Sequence, residues 1–183
     1  ISGLVITDVC AQLNTLVGDR QLDDDGVVML KFTGQIPGVL ITSQVATGEE
    51  NNLNIRIYGD LASLQWSQEQ PDSLAIKYAD QRTELHRMGV GALAPATLKH
   101  SRTPAGHPQG YIEAFANLYQ GFAEQVHAYE NDASVGHSQA QAQADIPGIA
   151  EAIRGMQFIE TVVNASQSDT KWHSLPALSH SGA

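Results

Sequence analysis

One change of hydrophobic rhythm divides this chain. Up to Met88, apolar residues recur at every second position in short runs cut by turns. From Gly106 they recur at every third or fourth position. The stretch GHPQGYIEAFANLYQGFAEQ, Gly106 to Gln125, predicts one long amphipathic helix. Its apolar stripe is Tyr111, Phe115, Leu118, Phe122 and, just beyond, Val126. Pro108 is placed for the first helical turn, where its missing N–H has no partner to lose. His107 then stands at the helix mouth, beside unpaired backbone N–H groups and the positive end of the dipole.

Before that helix the pattern is β. Ile1 to Val17 alternates and predicts a long strand. The connector GDRQLDDDG follows; its Asp23-Asp24-Asp25-Gly26 run lacks the alternate acids and distal Glu of a calcium loop and is expected to be a solvated turn. Val27 to Phe32 predicts a strand, Thr33-Gly34-Gln35 a hairpin turn, and Val39 to Thr47 a strand entered through Pro37 and Gly38. Further strands are expected around Leu53–Tyr58, Leu64–Ser67, Leu74–Tyr78 and Thr83–Met88. Such short connections imply an antiparallel meander. Met88 to Gly106 has no period and holds Gly89, Gly91, Pro95 and Pro104, so it is expected to be a long loop of the kind that carries function.

After the helix, Asn131 to Ala144 is polar and low in complexity, a surface loop. Asp145 is placed as the N-cap of a second helix with Pro147 in its first turn and Ile149, Ile153, Met156, Ile159 and Val163 as its apolar stripe. Trp172 and Leu175 are expected to return as a last edge strand, and Pro176 to Ala183 to form a tail.

The expected architecture is α+β: an open, predominantly antiparallel sheet of about six strands with two long helices on one face. The other face, carrying Thr42, Gln44, Arg56 and Tyr58 among apolar residues, is expected to join a second subunit. With 183 residues the chain is long enough for one domain with a sizeable core. Twenty acidic against ten basic residues, a net charge of −10, disfavour nucleic acid and anionic membrane surfaces as partners. No apolar run approaches the roughly 20 residues of a membrane span. The lone Cys10 leaves no disulfide within the chain and fits a cytoplasmic, reducing compartment.

Motifs with chemistry are few. Gly89-Val90-Gly91 is not followed by the third glycine of a dinucleotide fingerprint, and neither a P-loop nor a nucleophile elbow is present. The seven histidines are not spaced for two metal ligands on one helix or strand. No catalytic, cofactor-binding or metal role is assigned to any residue. Three residues near the helix entrance are candidates for substrate contact, each with a plainer alternative. His107 either fastens the loop or meets a ligand. Arg102 either forks onto a ligand hydroxyl or carboxylate or makes a surface salt bridge. Tyr111 either belongs to the core or faces the substrate.

The segments LDDDGVVMLKF, ITSQVATGEENNLNIRIYGDLASLQW, GHPQGYIEAFANLY and IPGIAEAIRGMQFIETVVNAS, with the later Trp172, together resemble the C-terminal half of the glucose–fructose oxidoreductase / inositol dehydrogenase / MocA (Gfo/Idh/MocA) family. The resemblance runs from Ile1 to about Leu175. It implies an open antiparallel sheet that builds subunit interfaces and closes the substrate side of an active-site cleft. It also implies a preceding Rossmann domain that binds NAD or NADP, a catalytic lysine on that domain, and a histidine, often with an aspartate, at the start of the second. Those segments have no counterpart in this chain, so residues 1–175 are expected to be the substrate-binding and oligomerisation domain of a sugar or polyol oxidoreductase, inactive alone. His107, Arg102 and Tyr111 carry over as substrate-side residues. Two other readings stand beside it: a free-standing interaction or assembly module that uses the sheet face, and a small-ligand binding protein that uses the Met88–His107 loop.

Overall fold

The computed structural model describes residues 2–131 and 146–176. The expected cap Asp145, nearly all of the polar loop before it, and the tail after Pro176 lie outside the described residues. The chain divides into two compact units, Ile1–Gly48 with Pro147–Ala183, and Glu49–Ile146.

In the first unit β1 (Ile6–Asn14), β2 (Asp25–Phe32), β3 (Ile36–Ser43) and β8 (His173–Ser174) form an antiparallel sheet ordered β3-β2-β1-β8. The β2–β3 turn at Thr33–Gln35 needs a left-handed residue, and Gly34 supplies it at φ 75°. Cross-strand partners share a face. Val9 pairs with Leu30 and Ala11 with Val28, and these residues point at the helix Ile149–Ser166, here α3. Val9, Val28, Leu30, Val162 and Ala165 are the buried core, with Leu13, Phe32, Phe158 and Leu175 among the side chains packed against it. The small Ala165 lets the helix approach closely, and the Leu13 N–H donates to Ser166 Oγ at 2.9 Å. The late edge strand is as expected, and the Leu175 N–H donates to the Thr7 carbonyl at 2.8 Å.

The stripe expected to cover the sheet does not do so. Ile149, Ile153, Met156, Ile159 and Val163 are exposed, from 37% to 76%. At 100° per residue they lie opposite Phe158, Val162 and Ala165. The helix is apolar on two sides, and the side that carries Phe158, Val162 and Ala165 takes the sheet. It starts at Ile149, where the Gly148 N–H donates to Glu151 Oε2 at 2.8 Å.

The aspartate run is not wholly solvated either. Asp24 is 4% exposed. Its carboxylate accepts the Leu16 N–H at 2.8 Å, the Val17 N–H at 3.0 Å and Arg20 Nη1 at 3.2 Å. The Leu16 N–H foremost, then the Val17 N–H and the Arg20 charge, hold this carboxyl below its ordinary range against the opposing effect of burial.

In the second unit β4 (Asn54–Tyr58), β5 (Ala62–Ser67), β6 (Ser73–Tyr78) and β7 (Glu84–Arg87) form a meander in chain order. Ile55, Trp66 and Leu74 share one face with Ile57, Leu64 and Ile76. Arg56, Tyr58, Ser63, Gln65 and Lys77 share the other. Two helices follow, α1 (Pro95–His100) and α2 (Tyr111–Asn131).

The α+β, antiparallel character and the two long helices match expectation. The strands number eight among the described residues, in two four-stranded sheets rather than one sheet of about six. The long helices belong to different units. The Met88–Gly106 segment contains α1, a helix too short to show a period in sequence. The expected open face also needs correction. Thr42 pairs with Gly26 and Leu40 with Val28, which puts both on the helix side of their sheet. Val27, Met29, Val39 and Ile41 occupy the opposite face, all exposed. Arg56 and Tyr58 belong to the other sheet.

Candidate functional site

The entrance to α2 is built from three pieces of the second unit: the β5–β6 turn, the loop after α1 and the first turn of α2. Gln109 joins them. Its backbone N–H donates to Asp72 Oδ2 at 3.3 Å. Its side-chain Oε1 accepts the Arg102 N–H at 2.9 Å and the Thr103 N–H at 3.3 Å. The Asp72 carbonyl accepts the Met88 N–H at 2.9 Å, and the Trp66 indole N–H donates to the Pro71 carbonyl at 3.0 Å. Gly110 lies so close to Pro71 that a Cβ there would stand 2.8 Å from the Pro71 ring.

The helix begins one turn later than expected. The Gly110 carbonyl accepts the Ala114 N–H at 2.8 Å, and the Gly110 N–H donates to Glu113 Oε2 at 2.7 Å. That bond is the first reason the Glu113 carboxyl is held below its usual range. Pro108 lies before the helix rather than inside it. Its place at the helix mouth is taken by Gly110.

His107 is therefore four residues ahead of α2, exposed, in a tight turn. Its ring Nδ1 is 3.2 Å from the Pro104 carbonyl, its backbone N–H donates to the same oxygen at 3.1 Å, and Thr103 Oγ1 donates to its carbonyl at 3.2 Å. Arg102 forks, but onto neutral groups: Nε donates to Asn117 Oδ1 at 2.8 Å and Nη2 to Gln120 Oε1 at 2.6 Å. It clamps the loop to one side of α2. Tyr111 is 67% exposed rather than core, and its ring lies 4.9 Å from that of Phe115 at 58°. Asn117 and Gln120 fall 240° and 180° around the helix from Tyr111 at 100° per residue. The structure thus ties Arg102 and His107 into one loop and places Tyr111 on the other side of α2.

Tyr111 instead faces an open cleft of about 560 Å³ between the 69–73 turn and residues 108–113. Sequence reasoning missed Asp72 and Gln109. The signals for them were modest: an aspartate in a Pro-Asp turn, and a glutamine between the Pro108 and Gly110 that bend the chain. Among the described residues no three His, Cys, Asp or Glu side chains come together as a metal site, and no helix is long and apolar enough to cross a membrane.

Comparison with known proteins agrees with this architecture. Residues 1–65 match the family described as GFO/IDH/MocA C-terminal domain. An oxidoreductase from Sinorhizobium meliloti of known structure is 34% identical, with a TM-score of 0.84, over 94% of this chain and 47% of its own. An inositol dehydrogenase homologue from Azotobacter vinelandii, solved with NADH and myo-inositol, is 28% identical with a TM-score of 0.85, over 94% of this chain and 45% of its own. The uncharacterized oxidoreductase YfiI of Bacillus subtilis is 25% identical over 168 residues, 91% of this chain and 42% of YfiI. The chain thus spans a little under half the length of these relatives. A matching family description over residues 1–65 and a shared fold along nearly the whole length make this chain similar to the C-terminal domains of the Gfo/Idh/MocA oxidoreductases.

Proposed function

We propose that this chain is the substrate-side and oligomerisation domain, residues 1–175 with a tail at 176–183, of an NAD(P)-dependent cytoplasmic oxidoreductase. Its substrate is a sugar, polyol or related hydroxy compound. The observation that carries this reading is the fold shared with a protein solved with NADH and myo-inositol. The dinucleotide fingerprint missing from this sequence belongs, on this reading, to a Rossmann domain outside these residues. The nicotinamide bound there supplies the hydride chemistry. The residues of this chain bind and orient the alcohol: Tyr111 from the wall of the cleft, His107 and Arg102 through the loop they hold in place.

Calorimetric titration of the 183-residue chain with NADH tests the division of labour. No binding heat is expected, and tight binding would contradict it. The face of the first sheet that carries Val27, Met29, Val39 and Ile41 is the surface we assign to subunit association, since isolated exposed apolar residues are ordinary but a contiguous patch is not. Sedimentation of the native protein should show a species heavier than one chain, and Ile41→Glu should shift it toward monomer. That same patch favours the second reading, a free-standing assembly module. The mass of the intact gene product separates the two: a product about twice this length supports the enzyme, and one starting near Ile1 supports the module.

A further inference from the structure

One face of the second sheet has a charge opposite to that of the chain as a whole. The chain carries twenty acidic and ten basic residues, a net charge of −10. Arg56 pairs with Gln65 and Tyr58 with Ser63, which pairs in turn with Lys77; all of these share one face. Gln65 also pairs with Ala75 and Ala75 with Leu85, so Leu85 and Arg87 of β7 belong to the same face. Among its strand residues this face holds Arg56, Lys77 and Arg87 and no aspartate or glutamate. We propose that it docks an acidic segment of another protein, a short run of aspartate or glutamate side chains whose carboxylates pair with Arg56, Lys77 and Arg87.

The cations are available. Among the described residues none of the three takes part in an ion pair, and the guanidinium groups of Arg56 and Arg87 have no hydrogen-bond partner. Lys77 Nζ donates to the neutral Gln65 Oε1 at 2.7 Å and keeps its charge uncompensated. All three are exposed, as are Tyr58 and Leu85 beside them. Arginine forks onto a carboxylate with two parallel bonds, and an exposed tyrosine among arginines is the composition of a contact surface. Two copies of this face do not suit one another, because cations would meet cations with no acid between them. A nucleic acid does not fit either. Strands of five residues are about 17 Å long and four of them about 15 Å across. The turns beyond both ends are acidic, with Asp60 and Asp80 at one and Glu69 and Asp72 at the other. A duplex carries a charge about every 1.7 Å of its axis and would run over them, whereas a short acidic segment stays within the face. So small a polar face gives a reversible contact that is steered by charge and weakened by salt.

The test is fluorescence anisotropy of a labelled octaglutamate peptide titrated with the 183-residue chain. Saturable binding is expected at about 20 mM salt, weakening about tenfold at about 200 mM. Arg56→Glu and Arg87→Glu should each weaken it by about tenfold, and Arg56→Lys, which keeps the charge, by no more than about threefold. Circular dichroism checks that each variant folds; where a reversal disturbs the fold, Arg56→Gln gives the reading instead. Lys171→Glu makes the same change of net charge at an exposed site in the first unit, and should alter binding by no more than about twofold. The proposal is overturned if the peptide shows no saturable binding at low salt, if both reversals bind as the parent does, or if Lys171→Glu weakens binding as much as Arg56→Glu. It is overturned equally if a short DNA duplex binds this face more tightly than the peptide. So it is if Arg56→Glu lowers the sedimenting mass, since a second copy would then already cover the face.

Discussion

The two units of this chain are held together by different physics. The first has a dry centre, where Val9, Val28 and Leu30 of the sheet meet Val162 and Ala165 of α3. The second has no buried large side chain among its described residues; only Gly121 of α2 is buried. Its order around α2 comes from polar bonds: Arg102 to Asn117 and Gln120, Asn117 Nδ2 to the His100 carbonyl at 3.2 Å, Lys99 to Glu124 at 2.9 Å, and Gln109 to three backbone or carboxylate partners. Burial supplies most of the favourable free energy of folding, whereas each exposed polar bond contributes little net stability and much geometric definition. The first unit is a scaffold, and the second fixes the position of a loop and a cleft.

That contrast has consequences of graded size. Leu30→Ala should cost about 2–5 kcal/mol in denaturant unfolding, because it leaves a cavity under α3; a cost below about 1 kcal/mol would mean the core is not where the contrast puts it. Asp24→Asn should come next. In the folded chain the Asp24 carboxyl titrates below its unfolded value of about 3.9. Between those two values the unfolded state binds more protons, so stability rises with pH across that window. The contribution is full above the unfolded value and lost as pH falls through the folded one. Acid unfolding followed by circular dichroism should show that the parent loses stability there while Asp24→Asn, already weaker at neutral pH, is flatter.

Gln109→Ala should leave global unfolding almost unchanged and speed amide exchange at Arg102 and Thr103 about fivefold, the loss of roughly one hydrogen bond. A global loss as large as that of Leu30→Ala would erase the distinction between the units. Smallest of all, Ile153→Ser on the exposed side of α3 should change stability by no more than about 0.5 kcal/mol in this chain. A larger loss would show that this stripe is covered in solution.

What was legible in the sequence follows from period and turn chemistry. The alternation in β1, β2 and β3 and the Thr33–Gln35 turn were readable, because each depends on neighbours in sequence or on a pattern several residues long; a last edge strand was expected from Trp172 and Leu175, but its place beside β1, at His173–Ser174, is a tertiary fact. The side of α3 that takes the sheet was not readable. Both sides are apolar, and the choice depends on how closely Ala165 and Val162 approach β1, which is a tertiary fact. α1 was hidden because six residues hold too little period. At the site, the motif GHPQGY drew attention to His107 and Tyr111, but the partner of its glutamine is Asp72, 37 positions away in sequence. No local pattern marks such a pairing. Asp24 was misjudged for a related reason: three consecutive aspartates look solvated, and only the fold of the connector decides which one turns inward.

The central claim is that these residues supply the alcohol-binding half of a nicotinamide-dependent enzyme. Its most direct test is polyol-dependent reduction of NAD⁺ or NADP⁺ by the intact gene product, measured beside the 183-residue chain. The account predicts NAD(P)H formation by the intact product and none by the chain alone. Reduction by the isolated chain, or an intact product of twice this length that reduces neither cofactor with any sugar or polyol, would contradict it.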